Sequence, residues 1–231
     1  IARLLSSLAG YAFEENEHEL YVNLYTGGVL NTRKNGRENQ ITFETDYPWN
    51  GQVKITIENQ EDTEFTLALR IPGWCSSCSL KINGEEVEAV PEKGYVLLNK
   101  VWKNEDNILL EMDMPVRLVE ANPKVREDIG KAVVMRGPLV YCLEEADNGP
   151  QLQQIYLKEE PKFCTEFQPE LLKGVVTIKA EGKRVSSHGW EGEGLYRTYT
   201  GKQFEDAELK FIPYYAWTNR TPGEMAVWVR V

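Results

Sequence analysis

The sequence predicts an all-β protein, two antiparallel β-sandwich domains of jelly-roll type entered through a short helix. Three observations predict it. Apolar and polar residues alternate at period two over most of the chain, Asn-Gly dipeptides punctuate that alternation, and helical spacing is confined to the first residues.

The helix comes first. Ile1, Leu4, Leu5 and Leu8 stand at i, i+3, i+4 and i+7, one apolar face of a helix expected over residues 1–11. A helix that short is marginal alone and needs a partner. The chain starts with Ile1 rather than Met, and neither a charged n-region nor a long apolar run comes after it. The start therefore reads as a point inside a helix, not as a secretion signal.

After Gly10 the period changes. Leu20, Val22 and Leu24 alternate with Tyr21, Asn23 and Tyr25. Ile41 and Phe43 continue the pattern, as do Val53, Ile55 and Ile57, then Phe65, Leu67, Leu69 and Ile71. Such segments read as half-buried antiparallel strands. Asn35-Gly36, Asn50-Gly51 and Asn83-Gly84 tolerate the positive φ of type I′ turns. The clearest hairpin runs Leu80-Lys81-Ile82, Asn83-Gly84, Glu85-Glu86-Val87. Strands are expected again at 95–98, 108–114 and 116–119.

The pattern pauses at Ala121-Asn122-Pro123, so the sandwiches are expected over 12–121 and 122–231, with the last strand free to return to the first domain. In the second half, strands are expected near 132–135, 139–143, 155–157, 175–178, 209–212 and 225–229. Three glycines among acids make 189–194 read as a mobile loop.

Composition narrows function. Across 231 residues the formal net charge is −10, a field that repels nucleic acid and anionic lipid but not neutral sugars. The longest apolar runs are far too short to span a bilayer. These features suit a soluble protein and are compatible with a bacterial cytoplasm or periplasm. Cys75 and Cys78 form a C-x-x-C, but Cys142 and Cys164 supply no second tight pair, and His18 and His188 stand alone. A four-ligand zinc site is not expected; ordinary thiols or one opportunistic disulfide are.

Pairs of carboxylates hydrolyse glycosidic bonds, and Glu14-Glu15, Glu85-Glu86, Glu144-Glu145 and Glu159-Glu160 qualify by type. With 36 acids in the chain such pairs arise by chance, and solvated surface is expected for them. A nucleophile elbow, a phosphate-binding glycine loop and a nucleophile–base pair are all missing from the sequence. The aromatics, 10% of residues with six Trp and eleven Tyr, remain. Tyr47, Trp49 and Trp190 are the candidate sugar contacts, since an aromatic ring on a turn can stack on a sugar. For Trp49 and Trp74 the competing reading is a cap over the end of a core. Trp217 and Trp228, inside apolar segments, read as core. No catalytic and no metal residue is assigned. Asn219-Arg220-Thr221 matches a glycosylation sequon, which carries weight only in a secreted eukaryotic protein.

Several strings in order resemble glycoside hydrolase family 127, the β-L-arabinofuranosidase-like family. They are Ile1-Ala2-Arg3-Leu4-Leu5, Leu20-Tyr21-Val22-Asn23-Leu24-Tyr25, Thr45-Asp46-Tyr47-Pro48-Trp49-Asn50-Gly51, Leu67-Ala68-Leu69-Arg70-Ile71-Pro72-Gly73-Trp74-Cys75, Met135-Arg136-Gly137-Pro138-Leu139-Val140-Tyr141-Cys142 and Pro213-Tyr214-Tyr215-Ala216-Trp217-Thr218-Asn219-Arg220. The resemblance implies an (α/α)6-barrel catalytic domain followed by β-sandwiches, with a zinc-bound cysteine nucleophile and glutamates as zinc ligand and acid/base. It also implies that the last catalytic ligands precede Ile1, so none is carried over and no cofactor is expected within these residues; the four cysteines do not match the catalytic ones. The helix over 1–11 becomes the tail of the barrel. The expected role is an accessory region bracing its own catalytic domain, inactive alone, with a homodimer as a further partner. The alternatives are a carbohydrate-binding module for plant glycans and an independent enzyme built on a converging carboxylate pair.

Overall fold

The structure is a computed structural model that describes residues 4, 7–190, 192 and 194–231, Ala9 by its backbone alone. The fold is all-β, with nineteen strands and short helical turns among the described residues. It divides into two compact units, Ile1–Met114 and Pro115–Val231. The division falls ahead of the pause at Ala121-Asn122-Pro123, because the strand Val116–Glu120 pairs with Lys131–Arg136 and so belongs to the second unit. Of the apolar helical face, Ile1 and Leu5 lie outside the described residues, while Leu4 and Leu8 are exposed. Leu4 and Ser7 are helical, and a helical turn, Ala9–Ala12, follows them.

The first unit holds two sheets. One orders β1 (Phe13–Glu15), β2 (Glu19–Val22), β6 (Thr63–Arg70) and β9 (Tyr95–Trp102); β2 and β6 run parallel. The other orders β3 (Gly28–Lys34), β4 (Arg37–Thr45), β5 (Gln52–Asn59), β10 (Asp106–Met112), β7 (Cys78–Ile82) and β8 (Glu85–Val87). One core draws on both sheets: Leu20, Leu67 and Leu69 from the first, Ile41, Ile55 and Ile108 from the second, all fully buried. Trp102 is also fully buried, and its indole N–H donates to the Phe65 carbonyl at 3.0 Å, so the polar atom of the largest core side chain is satisfied.

The expected hairpin forms. Leu80 pairs with Val87, and Asn83 (φ 54°) and Gly84 (φ 85°) make its turn. Asn35 (φ 49°) and Gly36 (φ 79°) do the same between β3 and β4. Asn50-Gly51 does not: neither residue has positive φ. Gly51 is needed for space, since a Cβ there would lie 1.9 Å from the Met112 carbonyl oxygen.

The second unit departs from the expected sandwich. Its strands are β11 (Val116–Glu120), β12 (Lys131–Arg136), β13 (Leu139–Glu144), β14 (Ile155–Leu157), β15 (Phe163–Gln168), β16 (Val175–Val185), β17 (Phe204–Pro213), β18 (Met225–Ala226) and β19 (Trp228–Arg230). Pairing runs β12–β19–β14–β16–β17–β13, and β13 pairs back to β12. Six strands thus close into a barrel, which removes the free edges a sandwich would leave. Val134, Tyr141, Ile178, Phe211 and Val229 fill it. Closure crowds the wall at Gly182, where a Cβ would lie 2.5 Å from Leu209 Cδ1 and 2.7 Å from the Tyr156 carbonyl oxygen. The last strand stays within this unit, between β12 and β14. Of the loop expected at 189–194, Glu191 and Glu193 lie outside the described residues. Among the described residues, no helix is long and apolar enough to cross a membrane.

Candidate functional site

In the first unit the turn between β4 and β5 carries Tyr47 and Trp49, both half-buried. The Tyr47 ring stacks on Trp74 (centroids 6.4 Å apart, planes 28° apart) and meets Tyr25 edge-on at 6.0 Å. Tyr47 and Trp74 both pack against the core. Burial pushes the Tyr47 phenol upward. Tyr25, buried beside it, donates its hydroxyl to the Arg70 carbonyl at 2.7 Å. Tyr47 and Trp74 thus lie against the core, the position weighed for Trp74. The backbone N–H of Trp49 donates to Asp46 at 2.8 Å and holds the turn.

Trp190 lies in the other unit, on the segment joining β16 to β17. That segment is pinned at its base by Ser186 N–H donating to the Gln203 carbonyl at 2.9 Å. It encloses a cavity of about 310 Å3 lined by His188, Trp190, Arg197, Tyr199 and Lys202, among others. The Arg197 guanidinium covers the Trp190 ring at 4.1 Å, and it also donates to the Gly189 carbonyl. One ring face is therefore occupied by a cation. On the same segment Leu195, Tyr196 and Tyr199 are 89%, 92% and 81% exposed.

The carboxylate pairs are not all on solvated surface. Glu144 is buried, and its oxygens accept from the Thr218 N–H at 2.8 Å and from Arg220 Nε at 3.0 Å. Arg220 also binds Asp147 at 2.6 Å, and Lys210 reaches Asp147 at 3.1 Å. Burial raises the Asp147 carboxyl, but hydrogen bonds from Arg220 and Lys210 outweigh it and hold the group below its ordinary range. Glu144 is paired with a cation, so this cluster ties β13 to the segment after β17.

The described residues offer no set of side chains that fits a zinc ion. Among the described residues, no three His, Cys, Asp or Glu are grouped to hold a metal. All four cysteines are free thiols. Burial raises Cys75 and Cys78 and pushes Cys142 up to about 12, so these thiols are protonated at neutral pH. His18 Nδ1 is bonded to Asn35.

Sequence reasoning missed the outer face of the barrel. Trp228 is half-buried rather than core, because Val229 takes the inward position of β19 and leaves Trp228 and Arg230 outward. Arg230 is opposite Lys131 on one side and Tyr156 on the other, and Tyr156 is opposite Lys183. The alternation Trp228-Val229-Arg230 was the signal; the short, wholly apolar-looking segment masked it.

The described residues thus form an all-β chain of two units, Ile1–Met114 and Pro115–Val231. The family models agree with that division. Residues 19–114 match "Beta-L-arabinofuranosidase, GH127 middle domain", and residues 116–230 match "Glycoside hydrolase family 127 C-terminal domain". The chain belongs to glycoside hydrolase family 127. It is 34% identical over 237 aligned residues to a non-reducing end β-L-arabinofuranosidase of Bifidobacterium longum subsp. longum, covering 100% of this chain and 36% of that protein. The crystal structure of a GH127 β-L-arabinofuranosidase from Geobacillus stearothermophilus T6 matches with a TM-score of 0.95 and 43% identity, over 99% of this chain and 36% of that one. Another GH127 β-arabinofuranosidase structure matches with a TM-score of 0.89 and 34% identity, over 100% of this chain and 37% of that one. The chain thus spans little more than a third of the relatives it matches.

Proposed function

We propose that the chain is the accessory β region of a longer retaining glycosidase acting on arabinofuranosides, in which it braces the catalytic domain. The first unit, two sheets over one core, is read as a sandwich of jelly-roll type. The carrying observation is the near-total exposure of Leu195, Tyr196 and Tyr199 on one segment. Covering a large apolar side chain is worth about 1.5–3 kcal/mol, and a contiguous group of exposed ones is the usual mark of a surface that something covers. The coverage of little more than a third of each relative supports the rest of the same protein as the cover; a second copy is the other candidate. Zinc chemistry belongs to that remainder.

The test compares two proteins. In the full-length protein, replacing Leu195, Tyr196 and Tyr199 together by Ser lowers the Tm by several degrees and shortens the lifetime of activity. In the 231-residue chain the same replacement leaves the Tm unchanged, because exposed positions contribute within about 0.5 kcal/mol. An unchanged full-length protein would overturn the bracing role of this segment.

A second reading, a carbohydrate-binding module for plant glycans, is favoured by the cavity at Trp190 and Tyr199. Affinity electrophoresis on arabinan and arabinoxylan decides it: retardation lost on Trp190→Ala supports it, and unretarded migration on both ends it.

A further inference from the structure

We propose that the outer barrel face around Trp228, Arg230 and Lys131 is a binding subsite for a carboxylate-bearing sugar, a hexuronate residue within an oligosaccharide. The proposal is independent of the bracing reading, which rests on Leu195, Tyr196 and Tyr199.

Trp228 and Arg230 line an open depression of about 370 Å3 together with Lys131, Gln153 and Glu224. An aromatic ring offers the apolar face that the C–H side of a pyranose needs. An arginine offers two parallel N–H donors matched to a carboxylate. Glu224 accepts the Leu152 N–H through Oε2 at 2.8 Å, which leaves its other oxygen for a sugar hydroxyl.

Charge decides between a neutral and an acidic sugar. Although the chain carries −10 overall, Arg230, Lys183 and Lys202 stand around Tyr156 and Lys131 is opposite Arg230, against Asp206 opposite Lys183 and Glu224 in the depression. Lys131 and Arg230 are directly opposite across β12 and β19, an arrangement that destabilises a sheet. None of the four forms an ion pair among the described residues. Arg230 and Lys202 instead both donate to the Tyr156 hydroxyl, at 2.8 and 2.6 Å, and Lys131 donates to the Glu127 carbonyl at 2.6 Å. The hydrogen bond from Lys202, then that from Arg230, lowers the Tyr156 phenol, as expected in a strongly positive field. Neutral acceptors are poor substitutes for an anion. A carboxylate in the depression replaces them and relieves the repulsion between Lys131 and Arg230.

Calorimetric titration of the full-length protein with a galacturonic acid disaccharide and with its neutral galactose counterpart tests this. The acidic disaccharide binds about tenfold more tightly or better, the equivalent of one charge-assisted hydrogen bond, and the preference shrinks as ionic strength rises. Arg230→Gln and Lys131→Gln each reduce the preference, Arg230→Lys keeps part of it, and Trp228→Ala weakens both sugars. Should Trp228→Ala fail to fold, the half-exposed cation variants decide alone. Equal binding of the two disaccharides, binding of neither, or a preference that survives Arg230→Gln overturns the proposal. Displacement of the uronate by equimolar acetate overturns its sugar component, leaving a bare anion site.

Discussion

Arg220 donates through Nε to Glu144 Oε2 at 3.0 Å, across 76 positions of sequence. The side chains keep 20% and 7% of their exposure, so each would be a poorly solvated charge without the other. Removing one partner of such a pair costs about 3–5 kcal/mol, most of it the stranded charge. Arg220→Ala is therefore expected to lower the urea midpoint of the second unit by that equivalent. The double variant Arg220→Ala, Glu144→Gln recovers much of the loss. Equal losses in the single and double variants would show that the pair is not the source.

Asp147 sets an acid limit on the same unit. Its folded carboxyl titrates below the ordinary 3.8, since the Arg220 and Lys210 bonds overcome burial. A depressed carboxylate stabilises the fold above its unfolded value and loses that contribution as pH falls through the folded value. Stability from this group is thus complete at neutral pH and declines below 3.8. Urea unfolding across that range has a smaller pH slope in Asp147→Asn than in the parent, and a lower midpoint at neutral pH. An unchanged slope contradicts the assignment.

Gly182 reports on barrel closure. A side chain there meets Leu209 and the Tyr156 carbonyl. Overpacking of this kind costs about 1–3 kcal/mol, and Gly182→Val is expected at or above the upper end. Leu209→Ala in the same chain returns part of the loss by opening the space, a coupling measurable by thermal melts.

Trp102 does the same for the first unit. Trp102→Ala leaves a cavity and removes the donor to the Phe65 carbonyl. The expected cost is about 3–5 kcal/mol, whereas Trp190→Ala, on a surface segment, stays within about 0.5 kcal/mol. Similar melting shifts for the two variants would contradict the placement of these rings.

Much of the first unit was legible because its strands keep one face apolar. Val53, Ile55 and Ile57 are all fully buried, as their alternation requires. β3 was not legible, because its inward positions are Leu30, Thr32 and Lys34. Lys34 is fully buried and is held by Glu15 and the Asn16 carbonyl, both at 2.7 Å. A buried lysine reads as solvent-facing until its partners are known. β15 escaped for a different reason: four of its six residues are exposed and the two at its ends only half-buried, so it has no apolar face.

Barrel closure was hidden in the weakest pairings. β14 and β19 are three residues each, and one register pair, Tyr156 with Arg230, joins them. Local periodicity does not encode which short strand closes a ring. Of the candidate sugar contacts, Tyr47 and Trp49 belong to one unit and Trp190 to the other, and aromatic content alone could not separate a core cap from a loop cavity.

As the accessory part proposed above for a longer glycosidase, these two β units would carry no complete catalytic site. The most direct measurement is hydrolysis of an aryl β-L-arabinofuranoside by the purified 231-residue chain, with zinc and a thiol reductant, beside the full-length protein. Turnover by the full-length protein and none by the chain is the predicted result. Zinc- and thiol-dependent turnover by the chain alone would contradict it.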